Sequence, residues 1–136
     1  MGSKNRIFLG FVTSMILHHL RNTFDRTIYM SKRVAVKIKL KHTDCFCYTN
    51  RLSFSLLLEN TILFLPYEKT SDTFNFIAYM PESHAFILYA LKSEKHHTNC
   101  ITIFKLREST LKKYLKQDNF RVISSEGKII LEEYIN

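Results

Sequence analysis

Glycine and proline are scarce in this chain, with three of the first and two of the second among 136 residues. That scarcity excludes a glycine-rich phosphate loop, a collagen-like segment and a proline-rich linker. Tryptophan is absent, so the aromatic fraction of 13% is carried by eleven Phe and seven Tyr. The three cysteines, Cys45, Cys47 and Cys100, are an odd number, and no Asn-x-Ser/Thr pattern occurs. Both facts argue against a disulfide-stapled secreted domain and for an intracellular protein. The apolar run Ile7 to Leu17 is too short for a bilayer, which requires about 20 residues. Hydrophobic residues nevertheless make up 46% of the chain and mean hydropathy is −0.12, enough apolar surface to build a core and to exclude a disordered protein. With no repeat and no linker, residues 1–136 read as a single domain, residues 1–29 forming a helical lead-in and 30–136 a β-rich body.

Acidic residues are also few, twelve against twenty Lys and Arg, for a net charge of +8. The surplus is localised. Through residue 41 nine cations face one acid, Asp25, and from residue 42 onward cations and acids balance. A localised positive charge directs attention to nucleic acid, an anionic membrane or an acidic protein as partner. It equally serves solubility.

At 3.6 residues per turn Phe8, Phe11, Val12, Met15, Ile16, Leu20 and Phe24 fall on one stripe, which predicts an amphipathic helix. Lys4 and Arg6 ahead of it, and the lack of acids before Asp25, also resemble an address for a mitochondrion or membrane surface. From residue 33 the period becomes two, with Val34, Val36, Ile38 and Leu40 on one side and Arg33, Lys37, Lys39 and Lys41 on the other; this predicts a half-buried basic strand. Further strands are expected at Cys45–Tyr48, Leu52–Leu58, Thr61–Leu65, Thr73–Tyr79, Ala85–Leu91, Cys100–Leu106 and Phe120–Ile123, the last leading through Ser125-Glu126-Gly127 into a hairpin over Lys128–Leu131. Ala85–Leu91 is so apolar that it must be covered on both faces. A short helix capped by Ser109 or Thr110 is expected to end at Gln117, burying Leu111, Tyr114 and Leu115. The order implies an α+β fold built on an antiparallel sheet, curled into a small barrel of PH-like or OB-like form that hides its edges.

Catalytic patterns are missing: there is no nucleophile elbow, P-loop, dinucleotide fingerprint or His-Glu-x-x-His, and Glu132 and Glu133 are adjacent. A Cys nucleophile with His42 or His84 as base has no supporting context. Cys45-x-Cys47 with His96-His97-x-x-Cys100 lacks the usual spacing of a zinc site, so neither a metal nor another cofactor is expected.

The sequence therefore points to a non-catalytic binding module, a subunit of a larger intracellular assembly, nuclear in preference to cytoplasmic. Its expected ligand is nucleic acid, single-stranded or gripped by its phosphate backbone, or else an acidic protein. The nominated contacts are Arg33, Lys37, Lys39 and Lys41 on the basic strand, Tyr48 and Tyr79 as stacking platforms, and Lys112, Lys113 and Lys116 as a second basic face. Two alternatives accompany it: a PH-like module that docks a protein partner through Phe8, Phe11, Met15 and Ile16, and a mitochondrial or membrane-surface protein addressed by its N-terminal helix. The competing reading of the lysines is that they blunt a sheet edge.

Overall fold

Ala85–Ser93 occupies the middle of a seven-stranded sheet in the computed structural model, which describes residues 5–17, 26–66, 72–94, 97–117 and 120–135. In chain order the strands are β1 (Arg6–Phe11), β2 (Thr27–Ser31), β3 (Thr61–Pro66), β4 (Thr73–Met80), β5 (Ala85–Ser93), β6 (Thr98–Leu106) and β7 (Arg121–Val122). They lie side by side as β1-β2-β6-β5-β4-β3-β7. Every pairing is antiparallel except β2 with β6, a short parallel contact in which Ile28 faces Thr98 and Tyr29 faces Asn99.

The helices are a single turn α1 (Ser14–Leu17), then α2 (Lys32–Lys41), α3 (Arg51–Glu59), α4 (Glu108–Lys116) and α5 (Ser125–Ile135), with a 3-10 segment Thr43–Tyr48 between α2 and α3. They cover both faces of the sheet. Alternate residues of β5 separate two cores. Ala85, Ile87, Tyr89 and Leu91 pack with Ala35 and Ile38 of α2 and Phe54 and Leu57 of α3. Phe86 and Leu88 pack with Leu111 and Leu115 of α4 and Leu131 of α5. The first seven residues of β5 are buried, as an apolar run covered on both faces requires.

The fold is thus mixed α+β with an open sheet. The expected barrel is not formed: β1 and β7 are separate edges, and the apolar faces are closed by helices instead of by curling. Five local expectations also change. Residues 6–11 are an edge strand, with a bulge between Phe8 and Gly10 where Gly10 holds φ 126, a conformation that side chains resist. Leu20 and Phe24 of the expected helix lie outside the described residues.

Residues 33–41 are helical, not extended, because Ser31 accepts a hydrogen bond from the Val34 amide at 3.1 Å and starts the helix, and Ala35 and Ile38 fall on one face. Residues 51–59 are likewise helical, started by Asn50 accepting from the Ser53 amide at 3.0 Å. The expected strand at 45–48 is the 3-10 segment. The expected terminal hairpin is α5, where Ser124 Oγ accepts from the Gly127 amide at 3.0 Å. Gly127 serves close packing here: a Cβ at this position would lie 2.7 Å from Cβ of Ile62.

The strands at 61–65, 73–79, 85–91 and 100–106 stand where the sequence puts them. Among the described residues no helix is long and apolar enough to cross a membrane.

Candidate functional site

Helix α2 carries five cations and no acid in ten residues. Residues four apart rise about 6 Å along a helix and drift about 40° around it. Arg33, Lys37 and Lys41 therefore form one ascending row, with Lys32 and Lys39 on the other flank, and all five are exposed. Between the two rows stand Val36 and Leu40, 55% and 76% exposed. The opposite side of the helix is anchored by Ala35 and Ile38, the latter only 2% exposed.

Helix stability does not account for this distribution. Lys39 and Lys41 in the last turn suit the negative end of the helix dipole, but Lys32 and Arg33 occupy the first turn, where cations are disfavoured. Beside the helix, Lys39 Nζ lies 5.4 Å from the ring centre of Phe46, a half-exposed aromatic in the 3-10 segment.

The nominated contacts divide between the two faces of the sheet. Arg33, Lys37, Lys39 and Lys41 come together on α2, joined by Lys32. Tyr48 is in the same layer, half-buried against the first core, and burial raises its pKa. Tyr79 belongs to the second core, where its ring packs against Phe86 at 4.9 Å and its hydroxyl lies 3.2 Å from Nδ1 of His84. Lys112, Lys113 and Lys116 are exposed on α4, in that same second layer, and Lys112 pairs with Glu108 at 3.5 Å. N-cap of α4 is Arg107, not Ser109 or Thr110. The lysines of α2 and those of α4 therefore belong to layers on opposite faces of the sheet.

The alternative docking residues are divided too. Ile16 is 1% exposed and belongs to the first core. Phe8 and Phe11 lie on β1, edge to face at 5.4 Å, and Phe8 meets Tyr29 at 5.7 Å. Arg6 is stacked over Tyr29 at 4.0 Å. Phe11 and Met15 are exposed. Of the cysteines, Cys45 and Cys100 are buried and Cys47 is exposed. Burial pushes the thiols of Cys45 and Cys100 up to about 12, with the nearby Asp44 carboxylate adding to the effect at Cys45. Among the described residues no group of three or more His, Cys, Asp and Glu is placed to hold a metal ion.

Sequence reasoning missed a cleft of about 630 Å3 at one end of the sheet, lined by His42, His84, Lys105, Arg107 and Tyr134 among others. These residues are scattered over four segments of the chain, and only the tertiary fold brings them together. No protein-family model, curated protein or solved structure matches this chain.

Proposed function

We propose that the protein is a non-catalytic module that grips nucleic acid by its phosphate backbone through the outward face of α2, as a subunit of a larger assembly. One observation carries this reading: five cations share the exposed side of one helix that contains no acid, and from residue 42 onward cations and acids balance. A rigid helix presents its cations at fixed spacing, and phosphate contacts of this kind supply affinity without base readout. Lysine, a point charge on a flexible stem, suits such a role better than sequence discrimination.

Fluorescence anisotropy against labelled duplex, single-stranded DNA and single-stranded RNA tests it. Changing Lys37, Lys39 and Lys41 to Glu abolishes binding and leaves the fold intact, since all three side chains are solvent-exposed. The same reversal at Lys112, Lys113 and Lys116, on the other layer, changes affinity less than threefold. Equal losses from both triple variants would refute a site on α2 and leave only net charge.

A second reading rests on the apolar residues between the cations. Val36 and Leu40, with Leu52 at 83% exposure and Leu56 on α3, suit an acidic amphipathic protein partner, because exposed apolar patches rimmed by charge mark protein interfaces. In that case Leu40→Asp releases the partner from a folded protein and has little effect on nucleic-acid affinity.

A further inference from the structure

Where α2 ends and the β4–β5 turn closes, the sheet opens into the cleft of about 630 Å3. That volume lies within the ~300–1,000 Å3 typical of small-molecule sites. Lys105 near the end of β6 and Arg107 just beyond it line the cleft, and neither makes an ion pair among the described residues. Two carboxylates also line it, and one of them is engaged. Glu108 is 3.5 Å from Lys112, and Asp44 is exposed and makes no ion pair among the described residues. Lys105 and Arg107 are thus left without a carboxylate in ion-pair contact, and the charge of Glu108 is shared with Lys112.

Aromatic and imidazole side chains supply the remaining wall. Tyr134 of α5 packs edge to face on Phe86 at 4.9 Å. His42, the residue that ends α2, meets Phe104 at 5.5 Å. His84 holds φ 50, a left-handed conformation that a side chain resists, and this keeps its ring beside the hydroxyl of Tyr79 at 3.2 Å. Arg107 is also the N-cap of α4.

We propose that this cleft binds a nucleoside monophosphate. Lys105 and Arg107 hold the phosphate dianion, the guanidinium by paired hydrogen bonds, and the flat base lies against the Tyr134 ring. The group can come from a free mononucleotide or from the 5′-terminal nucleotide of a strand; the chemistry is the same. Neither Lys105 nor Arg107 belongs to α2, so the proposal stands apart from the reading of that helix.

Calorimetric titration of the full chain at low salt, with adenosine 5′-monophosphate and with adenosine, tests it. The monophosphate binds at least tenfold more tightly than the nucleoside. The double variant Lys105→Gln, Arg107→Gln loses that difference with unchanged circular dichroism and Tm, because both side chains are exposed. Lys37→Gln retains it. Equal affinity for the two ligands, no binding of the monophosphate at millimolar concentration, or wild-type binding by the double variant overturns the proposal. Oligothymidylates with and without a 5′-phosphate identify the source. A phosphate preference lost in the double variant assigns the site to strand ends; no preference, with the mononucleotide still bound, assigns it to free mononucleotides.

Discussion

Ile38→Ala and Leu40→Ala differ by two residues and have opposite expected consequences. Both belong to the apolar set of an alternating pattern, and a strand over these residues would bury both. In the helix, Ile38 is 2% exposed among Ala35, Cys45 and the other members of the first core, whereas Leu40 is 76% exposed. Truncating a buried isoleucine removes transfer free energy and leaves a cavity, together about 2–5 kcal/mol, and about 3 kcal/mol is expected at this site. The higher helix propensity of alanine offsets at most about 0.5 kcal/mol of it. Leu40→Ala, an exposed substitution without a special contact, should remain within about 0.5 kcal/mol of the parent. For a domain of this size about 1 kcal/mol corresponds to about 4 °C, so Tm falls by about 10 °C for the first variant and by less than about 2 °C for the second. Urea unfolding followed by circular dichroism measures both. Comparable losses at the two positions would refute the helical assignment and with it the basic face.

Gly127→Ala ordinarily strengthens a helix by up to about 1 kcal/mol, but here the new Cβ would meet Cβ of Ile62 at 2.7 Å. The strand and helix must separate, and a net loss of about 1–3 kcal/mol is expected in thermal unfolding, a gain being contrary to the packing described. The thiols give a chemical test: at pH 8 one equivalent, Cys47, reacts rapidly with a disulfide reagent, and the buried Cys45 and Cys100 react only after unfolding. Those two thiols ionise near 9 when unfolded and near 12 when folded. Above pH 9 the unfolded state binds fewer protons than the native one, so stability falls as pH rises through that range, and replacing Cys100 by Ala makes the fall shallower. Tyr89→Phe removes the bond between its hydroxyl and Thr61 Oγ1 at 2.7 Å, but Thr61 still donates to the Leu57 carbonyl. A loss of about 1 kcal/mol is therefore expected in urea unfolding, and a loss above about 3 kcal/mol would contradict this account of the network.

The part of the fold legible in the sequence is the part where one periodicity has no rival. Ala85–Leu91 is continuous, apolar and bounded by turns, and it is the middle strand. Thr73–Tyr79 alternates and is closed by Pro81, and it is a strand. The helix over residues 108–116 shows its stripe plainly, down to the Glu108–Lys112 pair.

Misreading concentrates where apolar residues satisfy two periods. Over residues 34–40 alternation requires Ala35 to stand among the lysines, and that one residue out of place, with Ser31 four before it, is the signal for a helix. Over residues 52–58 Leu57 plays the same part, and Asn50 supplies the cap. The N-terminal stripe fails for a related reason: Gly10 interrupts a helix but suits a bulge. β2 gives almost no local signal, because its place between β1 and β6 is fixed by pairing with strands far away in sequence.

The candidate site was half legible. Its residues could be named from charge alone, because the cations of 33–41 remain exposed in either conformation. Their geometry could not, since a strand would have spaced them alternately along an edge, and the helix instead sets Arg33, Lys37 and Lys41 in a row with two aliphatic side chains beside it. Aromatic partners were not legible at all, because placing Tyr79 requires knowing which face of β4 meets which helix layer.

The most direct test of the central claim is the salt dependence of nucleic-acid affinity. A row of three to five phosphate contacts predicts that log K falls with log salt with a slope of about −3 to −4.5 on duplex DNA. In the variant Lys37→Gln, Lys41→Gln the slope becomes shallower by about 2, one unit for each contact removed. An unchanged slope in that variant, or no binding even at low salt, would contradict an α2 that grips a phosphate backbone.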